Sequence, residues 1–263
     1  MVLSGGGVRG LAHVGVLQAL GEEGIQPQVL SGTSSGAIVA ALYAAGYSAP
    51  DMLGFFVRKN PFRLSKMALV KPGLFDTEKV AQDLLEYFPE DSFEALERRV
   101  FLTATDLISG QPRVFSSGPL VAPILASCST PLVFTPTRVD GHWYSDGGIT
   151  DNFPVEPLAG RCDVLLGVYV TPLRTIREKS LRTSLAVSQR AFEIGMFHNS
   201  ERKFSQCDLV ICPPELSRYG TFDTKHFGDI MQVGYRAAQS AMGAMRRLIE
   251  RGAARPDEPP AAG

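Results

Sequence analysis

Two glycine-rich turns near the start of the chain constrain its fold more than any other feature. The first is Gly5 to Gly10 (GGGVRG), which follows the apolar pair Val2-Leu3, and the second is Gly32 to Gly36 (GTSSG), which follows Val29-Leu30. Apolar residues at helical spacing come after the first turn, and a nearly all-apolar helical stretch comes after the second. An order of strand, helix, strand, helix predicts a parallel sheet with right-handed crossovers.

The remainder of the chain continues this α/β pattern. Further strands are predicted at 100–104, 113–115, 164–170 and 209–211, and helices at 10–24, 35–45, 77–88, 119–128, 180–204 and 227–251. We expect one domain over residues 1–251. Residues 252–263 (GAARPDEPPAAG) have the composition of a disordered tail, since they are rich in proline and contain no large apolar side chain.

Charge and cysteine content narrow the function classes. A formal net charge of −1 over 263 residues gives no basic surface for nucleic acid, so we expect no nucleic-acid partner. Four cysteines form no CxxC pair and lack nearby histidines, which favours buried thiols in a reducing compartment over a metal site. No apolar run is long enough to span a membrane, and the first residues do not read as a signal peptide. We therefore expect a cytoplasmic protein.

The second turn has the form G-x-S-x-G. A serine between two glycines, after a strand and before a helix, can occupy a sharp turn that exposes its hydroxyl. This context makes Ser34 the candidate nucleophile, with Gly32 and Gly36 as the flanking residues that permit the turn. The backbone N–H of Ser35 is expected to help hold the oxyanion.

The first turn fits two interpretations. Residues without Cβ at Gly5, Gly6 and Gly7 would let backbone N–H groups approach a developing negative charge. The same turn also matches G-x-G-x-x-G, the dinucleotide-binding pattern, which needs an acidic residue at the end of the second strand. Here that strand runs into residues 31–34, and the acidic pair Glu22-Glu23 precedes it. The oxyanion interpretation is therefore favoured.

A nucleophilic serine needs a base. Of the four histidines, only His226 lies on a loop after the last predicted strand, where a Ser–Asp–His hydrolase would place its base. His13 falls inside the first helix and is expected to be a packing or hydrogen-bonding residue. A carboxylate is the alternative: Asp146 follows a strand-like run and precedes Gly147 and Gly148. An Asp-Gly hairpin turn would also explain this segment. Combined with Ser34, Asp146 is the favoured general base.

These elements together resemble the patatin-like phospholipase family, whose pattern is G-G-G-x-[RK]-G, then G-x-S-x-G, then D-G-[GA]. They correspond here to residues 5–10, 32–36 and 146–148. The segments Ala126 to Pro131 (ASCSTP) and Asp151 to Val155 (DNFPV) are similar to short bacterial members. The resemblance covers roughly residues 1–170, and its catalytic motifs are complete.

The resemblance implies a three-layer α/β/α fold with a central, mostly parallel sheet and a Ser34–Asp146 dyad. It implies a serine hydrolase of (phospho)lipid acyl esters that needs no cofactor and no metal. Supporting positions would be Gly10, Gly147, Gly148 and Arg9, the last of which either orients the glycine loop or contacts a phosphate. An acyltransferase using the same acyl-enzyme and a silent lipid-binding module are the alternatives.

One segment suggests contact with a membrane surface. Residues 55–71 mix phenylalanines with lysines and arginines, a composition that fits a mobile cover meeting a lipid layer. A solvated loop over a hydrophobic core fits equally well.

Overall fold

The computed structural model describes residues 1–59, 77–131 and 133–253 of the chain. Within these ranges the strands are β1 (Val2–Leu3), β2 (Val29–Thr33), β3 (Arg99–Asp106), β4 (Pro112–Phe115), β5 (Thr137–Val139), β6 (His142–Asp146), β7 (Leu166–Val168) and β8 (Leu209–Ile211). The α-helices are α1 (Leu11–Glu22), α2 (Ser35–Ala44), α3 (Ala49–Lys59), α4 (Thr77–Leu85), α5 (Val121–Cys128), α6 (Ser184–Glu201) and α7 (Phe227–Ala253). The predicted strand–helix alternation at the start of the chain is confirmed.

The strands form one mixed sheet in the order β5-β6-β3-β2-β1-β7-β8, and β4 also pairs with β3. The run β3-β2-β1-β7-β8 is parallel throughout. By contrast, β4 and β6 are antiparallel to β3, and β5 is antiparallel to β6. The α/β class with a mostly parallel sheet is confirmed. The pairs β3–β4 and β5–β6 are joined by short connections, which can link antiparallel neighbours but not parallel ones.

Both faces of the sheet are covered. Successive residues of β1 illustrate this, because Leu3 belongs to one buried cluster and Val2 to another. The larger cluster contains side chains of α1, α2, α3, α5 and α7. The smaller one contains Phe153, Leu158 and Tyr169, with Phe197 of α6 packed against it. This two-sided burial explains why residues around β7 form a continuous apolar run.

Some predicted boundaries differ from the structure. Only Leu166–Val168 of the predicted strand 164–170 pairs within the sheet, and α6 is shorter at both ends than predicted. At the C-terminus α7 extends to Ala253, so the first two residues of the predicted tail are helical. Gly252 is buried at this end of α7, where a Cβ would lie 2.9 Å from Cγ2 of Val164. The rest of the predicted tail, 254–263, lies outside the described residues.

The register along β3 brings the two motifs together. Thr33, at the end of β2, pairs with Thr103, and Asp146, at the end of β6, pairs with the next residue, Ala104. A strand has two edges, and β4 pairs along one edge of β3 at both of these positions. β2 and β6 therefore both pair along the other edge of β3, where the end of β2 approaches the end of β6. Ser34, which follows Thr33, therefore meets Asp146.

Candidate active site

Ser34 occupies a sharp turn between β2 and α2, with φ 53° and ψ −124°. Positive φ is uncommon for a residue with a Cβ. The turn is tight, since a Cβ on Gly32 would lie 2.6 Å from the carbonyl oxygen of Gly36. The N–H of Ser34 donates to Oγ of Ser127 at 2.8 Å, and that hydroxyl donates to the carbonyl oxygen of Thr103 at 2.6 Å. These contacts hold the serine in its strained conformation.

Asp146 accepts hydrogen bonds on both carboxylate oxygens. Oγ of Ser34 donates to Oδ2 at 2.9 Å, and Oγ1 of Thr130 donates to the same oxygen at 2.6 Å. The N–H of Gly148 donates to Oδ1 at 2.8 Å. The chain continues into a 3-10 helix at Gly147–Ile149. The alternative of an Asp-Gly hairpin turn is therefore wrong, because the side chain of Asp146 caps this helix.

Burial controls the acidity of this carboxyl group. Asp146 is only 6% exposed, and loss of solvation raises its pKa above the ordinary aspartate value. Hydrogen bonds from Thr130, Gly148 and Ser34 favour the charged form and lower the pKa, which partly offsets the effect of burial. A poorly solvated carboxylate with a raised pKa is a stronger proton acceptor than an aspartate in water.

The glycine loop presents backbone N–H groups beside Ser34. The N–H of Gly5 already donates to the carbonyl oxygen of Asn152 at 3.2 Å. Within the described ranges, the N–H groups of Gly6, Gly7 and Ser35 donate to no protein acceptor. Gly7 has φ +60°, a conformation that glycine adopts without strain. The candidate oxyanion donors therefore narrow to these three N–H groups.

Arg9 ties the glycine loop to a later part of the chain. Its side chain is 9% exposed and donates to Oγ1 of Thr221 at 3.0 Å and to the carbonyl oxygen of Gly6 at 3.4 Å. Burial lowers the pKa of the guanidinium, and the charge of Glu193 opposes this change. These contacts fit a role in orienting the loop. Arg9 also lines the cavity that contains Ser34, so its contact with a phosphate stays a prediction.

None of the four histidines, all of which lie in described ranges, lines the cavity that contains Ser34. His13 is fully buried, shares a hydrogen bond of 2.8 Å with the carbonyl oxygen of Ser4, and has its pKa lowered to about 4 by burial. This is the packing role predicted for it. His226 is half-exposed and contacts Asp223 at 2.8 Å.

The cavity that contains Ser34 and Asp146 has a volume of about 400 Å³. Its apolar wall is formed by Pro131, Val133, Phe192, Met196 and Phe222. A larger groove of about 590 Å³ lies beside β8 and α7, and neither Ser34 nor Asp146 lines it. The cavity therefore combines a polar centre with an apolar wall.

Several of these residues were not predicted. Thr130 and Asn152 lie within the ASCSTP and DNFPV segments, which indicated the family resemblance without a role for either side chain. Phe192 and Met196 of α6 also line the cavity. Their only sequence signal was an amphipathic helical pattern, which packing against the core explains equally well.

The segment 55–71 differs from its prediction where it is described. Phe55 and Phe56 are 1% and 0% exposed and belong to the core, so these two side chains do not form a membrane contact. They face inward because α3 packs against α1, whereas Val57 on the same helix is 54% exposed. The remaining positions of the segment, 60–71, lie outside the described residues. None of the described helices is both long and apolar enough to cross a membrane.

The fold and the site define an α/β protein in which a serine follows the parallel strand β2 and its carboxylate partner ends the antiparallel strand β6. The family model for patatin-like phospholipase matches residues 1–159, and the chain belongs to this family. An uncharacterized NTE family protein of Mycobacterium tuberculosis is 35% identical over 162 residues, which are 61% of this chain and 45% of the relative. Lysophospholipase nte1 of Aspergillus fumigatus is 27% identical over 265 residues, which are 89% of this chain and 17% of that protein.

The crystal structure of VipD from Legionella pneumophila matches with a TM-score of 0.55 and 14% identity, over 92% of this chain and 66% of VipD. This likeness shows a shared fold. The chain spans about half the length of the first curated relatives it matches, 45% and 47% in two of them.

Proposed function

We propose that this protein is a serine hydrolase that cleaves carboxylic ester bonds of (phospho)lipids. The observation that carries the proposal is the 2.9 Å hydrogen bond from Oγ of Ser34 to Oδ2 of Asp146, inside a cavity with an apolar wall. Family membership and the named lysophospholipase relative support the substrate class.

In the proposed acylation step, Oγ of Ser34 attacks the ester carbonyl carbon while Asp146 takes the hydroxyl proton on Oδ2. The raised pKa of Asp146 favours this transfer. Negative charge then develops on the carbonyl oxygen, where the N–H groups of Gly6, Gly7 and Ser35 can donate hydrogen bonds. Collapse of the intermediate breaks the ester bond, and the leaving alcohol takes the proton from Asp146.

In the proposed deacylation step, Asp146 removes a proton from a water molecule, which attacks the acyl-enzyme at the same carbon. The fatty acid leaves, and Oγ of Ser34 regains the proton from Asp146. One carboxylate can serve both half-reactions because it gives up its proton to the leaving group at the end of each.

The apolar wall offers a place for the acyl chain. Phe192 and Met196 are one helical turn apart on α6, and both line the cavity with Phe222. Burial of methylene groups against such side chains stabilises the complex by about 0.8 kcal/mol for each CH₂ group. We therefore expect long acyl esters to bind more tightly than short ones.

The test is hydrolysis of short and long p-nitrophenyl esters and of a lysophospholipid by wild type, Ser34→Ala, Asp146→Asn and His226→Ala. The proposal predicts loss of activity in the first two variants and retention in the third. Loss of activity in His226→Ala would contradict the dyad and favour the histidine-assisted acyltransferase instead. Absence of wild-type activity on every ester, including lysophospholipid, would contradict the hydrolase and favour a silent lipid-binding module.

A further inference from the structure

A short turn between β3 and β4 projects large apolar side chains into solvent. Ile108 is 78% exposed and Leu107 is 45% exposed. The turn is held by the carboxylate of Asp106, whose Oδ1 accepts the N–H groups of Ile108 at 2.8 Å and Ser109 at 3.0 Å. The N–H of Gly110 donates to the carbonyl oxygen of Asp106 at 2.9 Å. The two apolar side chains are therefore presented by an ordered turn.

Trp143 extends this apolar surface on the neighbouring strand. Its carbonyl oxygen accepts the N–H of Leu107 at 2.8 Å, which places the two residues opposite each other across β3 and β6. The indole is 46% exposed, and the guanidinium of Arg138 lies 5.9 Å from its ring centre. We name Leu107, Ile108 and Trp143 the apolar tip. Tryptophan beside arginine is a typical combination at a membrane–water interface.

The apolar tip and the catalytic pair lie at the same end of the sheet. Asp146 pairs with Ala104, and the tip begins three residues further along the chain, at Leu107, directly after β3 ends. At a rise of about 3.3 Å per residue, this separation is roughly 10 Å along the strand. Phe192, which lines the cavity, is also 39% exposed. A flat surface that touches the tip would therefore lie close to the cavity.

The size of the tip favours a lipid layer over a protein partner. A stable protein interface buries about 800 Å² of surface on each partner. The three side chains of the apolar tip offer at most a few hundred Å² of surface, on the order of 150–250 Å² for the aromatic one. Insertion of a few apolar side chains among lipid headgroups needs no such area.

We propose that the apolar tip docks the protein on the surface of a lipid layer, from which the cavity takes its acyl ester. This inference rests on the proposed function for the identity of the substrate. The docking itself can be measured without catalysis.

Trp143 is the only tryptophan among the 263 residues, so intrinsic fluorescence reports directly on the tip. The inactive Ser34→Ala variant is mixed with phosphatidylcholine vesicles or with vesicles of brominated phosphatidylcholine. The proposal predicts a blue shift of emission with the first and strong quenching with the second. Co-sedimentation of the protein with vesicles without any change in Trp143 emission would overturn it, as would the absence of binding.

A matched pair of variants separates the tip from the segment 55–71. Ile108→Asp is expected to reduce vesicle partitioning by roughly tenfold or more, because an exposed apolar anchor is replaced by a charge. Val57→Asp, at a similarly exposed apolar position of α3, is expected to leave partitioning unchanged. Reduction by Val57→Asp alone would place the contact on α3 and refute the proposal.

Two further readouts keep this proposal distinct from the proposed function. Ile108→Asp should hydrolyse a dispersed short p-nitrophenyl ester at the wild-type rate, because Ile108 lies outside the cavity. If wild type hydrolyses no ester yet Trp143 is quenched by brominated lipid, the hydrolase fails and the docking stands. A concentration-dependent dimer that Ile108→Asp abolishes, without vesicle binding by wild type, would assign the tip to a second copy of the chain.

Discussion

Replacement of Thr130 by valine removes one hydrogen bond from the proposed general base with little change in side-chain volume. Oγ1 of Thr130 donates to Oδ2 of Asp146 at 2.6 Å, and Ser34 donates to the same oxygen at 2.9 Å. The threonine hydroxyl favours the ionised carboxylate and lowers its pKa. Thr130→Val is therefore expected to raise the pKa of Asp146 further above its ordinary value.

The size of the effect follows from the burial of the pair. A hydrogen bond to a charged group contributes about 1.5–3 kcal/mol, which corresponds to roughly a ten- to hundredfold change in an ionisation equilibrium. Asp146 is 6% exposed, so bulk water does not readily replace the lost hydroxyl. On the acid side of the pH profile, kcat/KM should fall by about this factor. At high pH, where the carboxylate is ionised in both proteins, the two rates should converge.

The assay is kcat/KM for a short p-nitrophenyl ester measured across pH for wild type, Thr130→Val and Thr130→Ser. The serine variant keeps the hydroxyl and should restore the wild-type profile. If Thr130→Val lowers kcat/KM equally at every pH, the threonine acts through packing and not through the pKa of Asp146. An acid limb that moves to lower pH would also refute the expected rise in the pKa of Asp146.

Three further outcomes are expected. Gly36→Ala should lower Tm in thermal denaturation, because a Cβ there would lie 2.6 Å from the carbonyl oxygen of Ser4, and overpacking costs about 1–3 kcal/mol. Asp146→Asn should be at least as stable as wild type at pH 8 by the same measurement. Burial raises the folded-state pKa of Asp146, so ionisation opposes folding increasingly as pH rises from the ordinary aspartate pKa to the folded-state pKa, and fully above it. The stability of Asp146→Asn relative to wild type should therefore decrease as pH falls towards 4. Phe192→Ala should raise KM for long esters more than for short ones, since Phe192 lines the cavity.

The sequence predicted those parts of the site that are carried by local backbone geometry. The shape of the turn at residues 32–36 depends on which of its residues lack a Cβ. The positions of Gly32 and Gly36 can be read directly from the sequence. The strand–turn–helix context followed from apolar periodicity. Apolar periodicity also predicted the helix after the first glycine turn, and the structure confirms this helix at Leu11–Glu22.

Other features depend on contacts between distant parts of the chain. Thr130 reaches Asp146 only because α5 and β6 pack together, and no local pattern marks one threonine among many. The mixed composition of residues 55–71 fitted either a lipid-facing cover or a solvated loop over the core, and only the packing of α3 shows that Phe55 and Phe56 face inward. The apolar tip was not predicted, because Leu107 and Trp143 meet across a strand pairing that periodicity does not reveal.

Labelling with a fluorophosphonate probe is a direct test of the Ser34–Asp146 dyad, because the probe reacts with an activated serine and loses fluoride in the process. Peptide mass spectrometry then locates the adduct. We expect one adduct, on the peptide that contains Ser34. Labelling should be absent in Ser34→Ala, slowed in Asp146→Asn and unchanged in His226→Ala. An adduct at another residue, or labelling that depends on His226 and not on Asp146, would contradict the Ser34–Asp146 dyad.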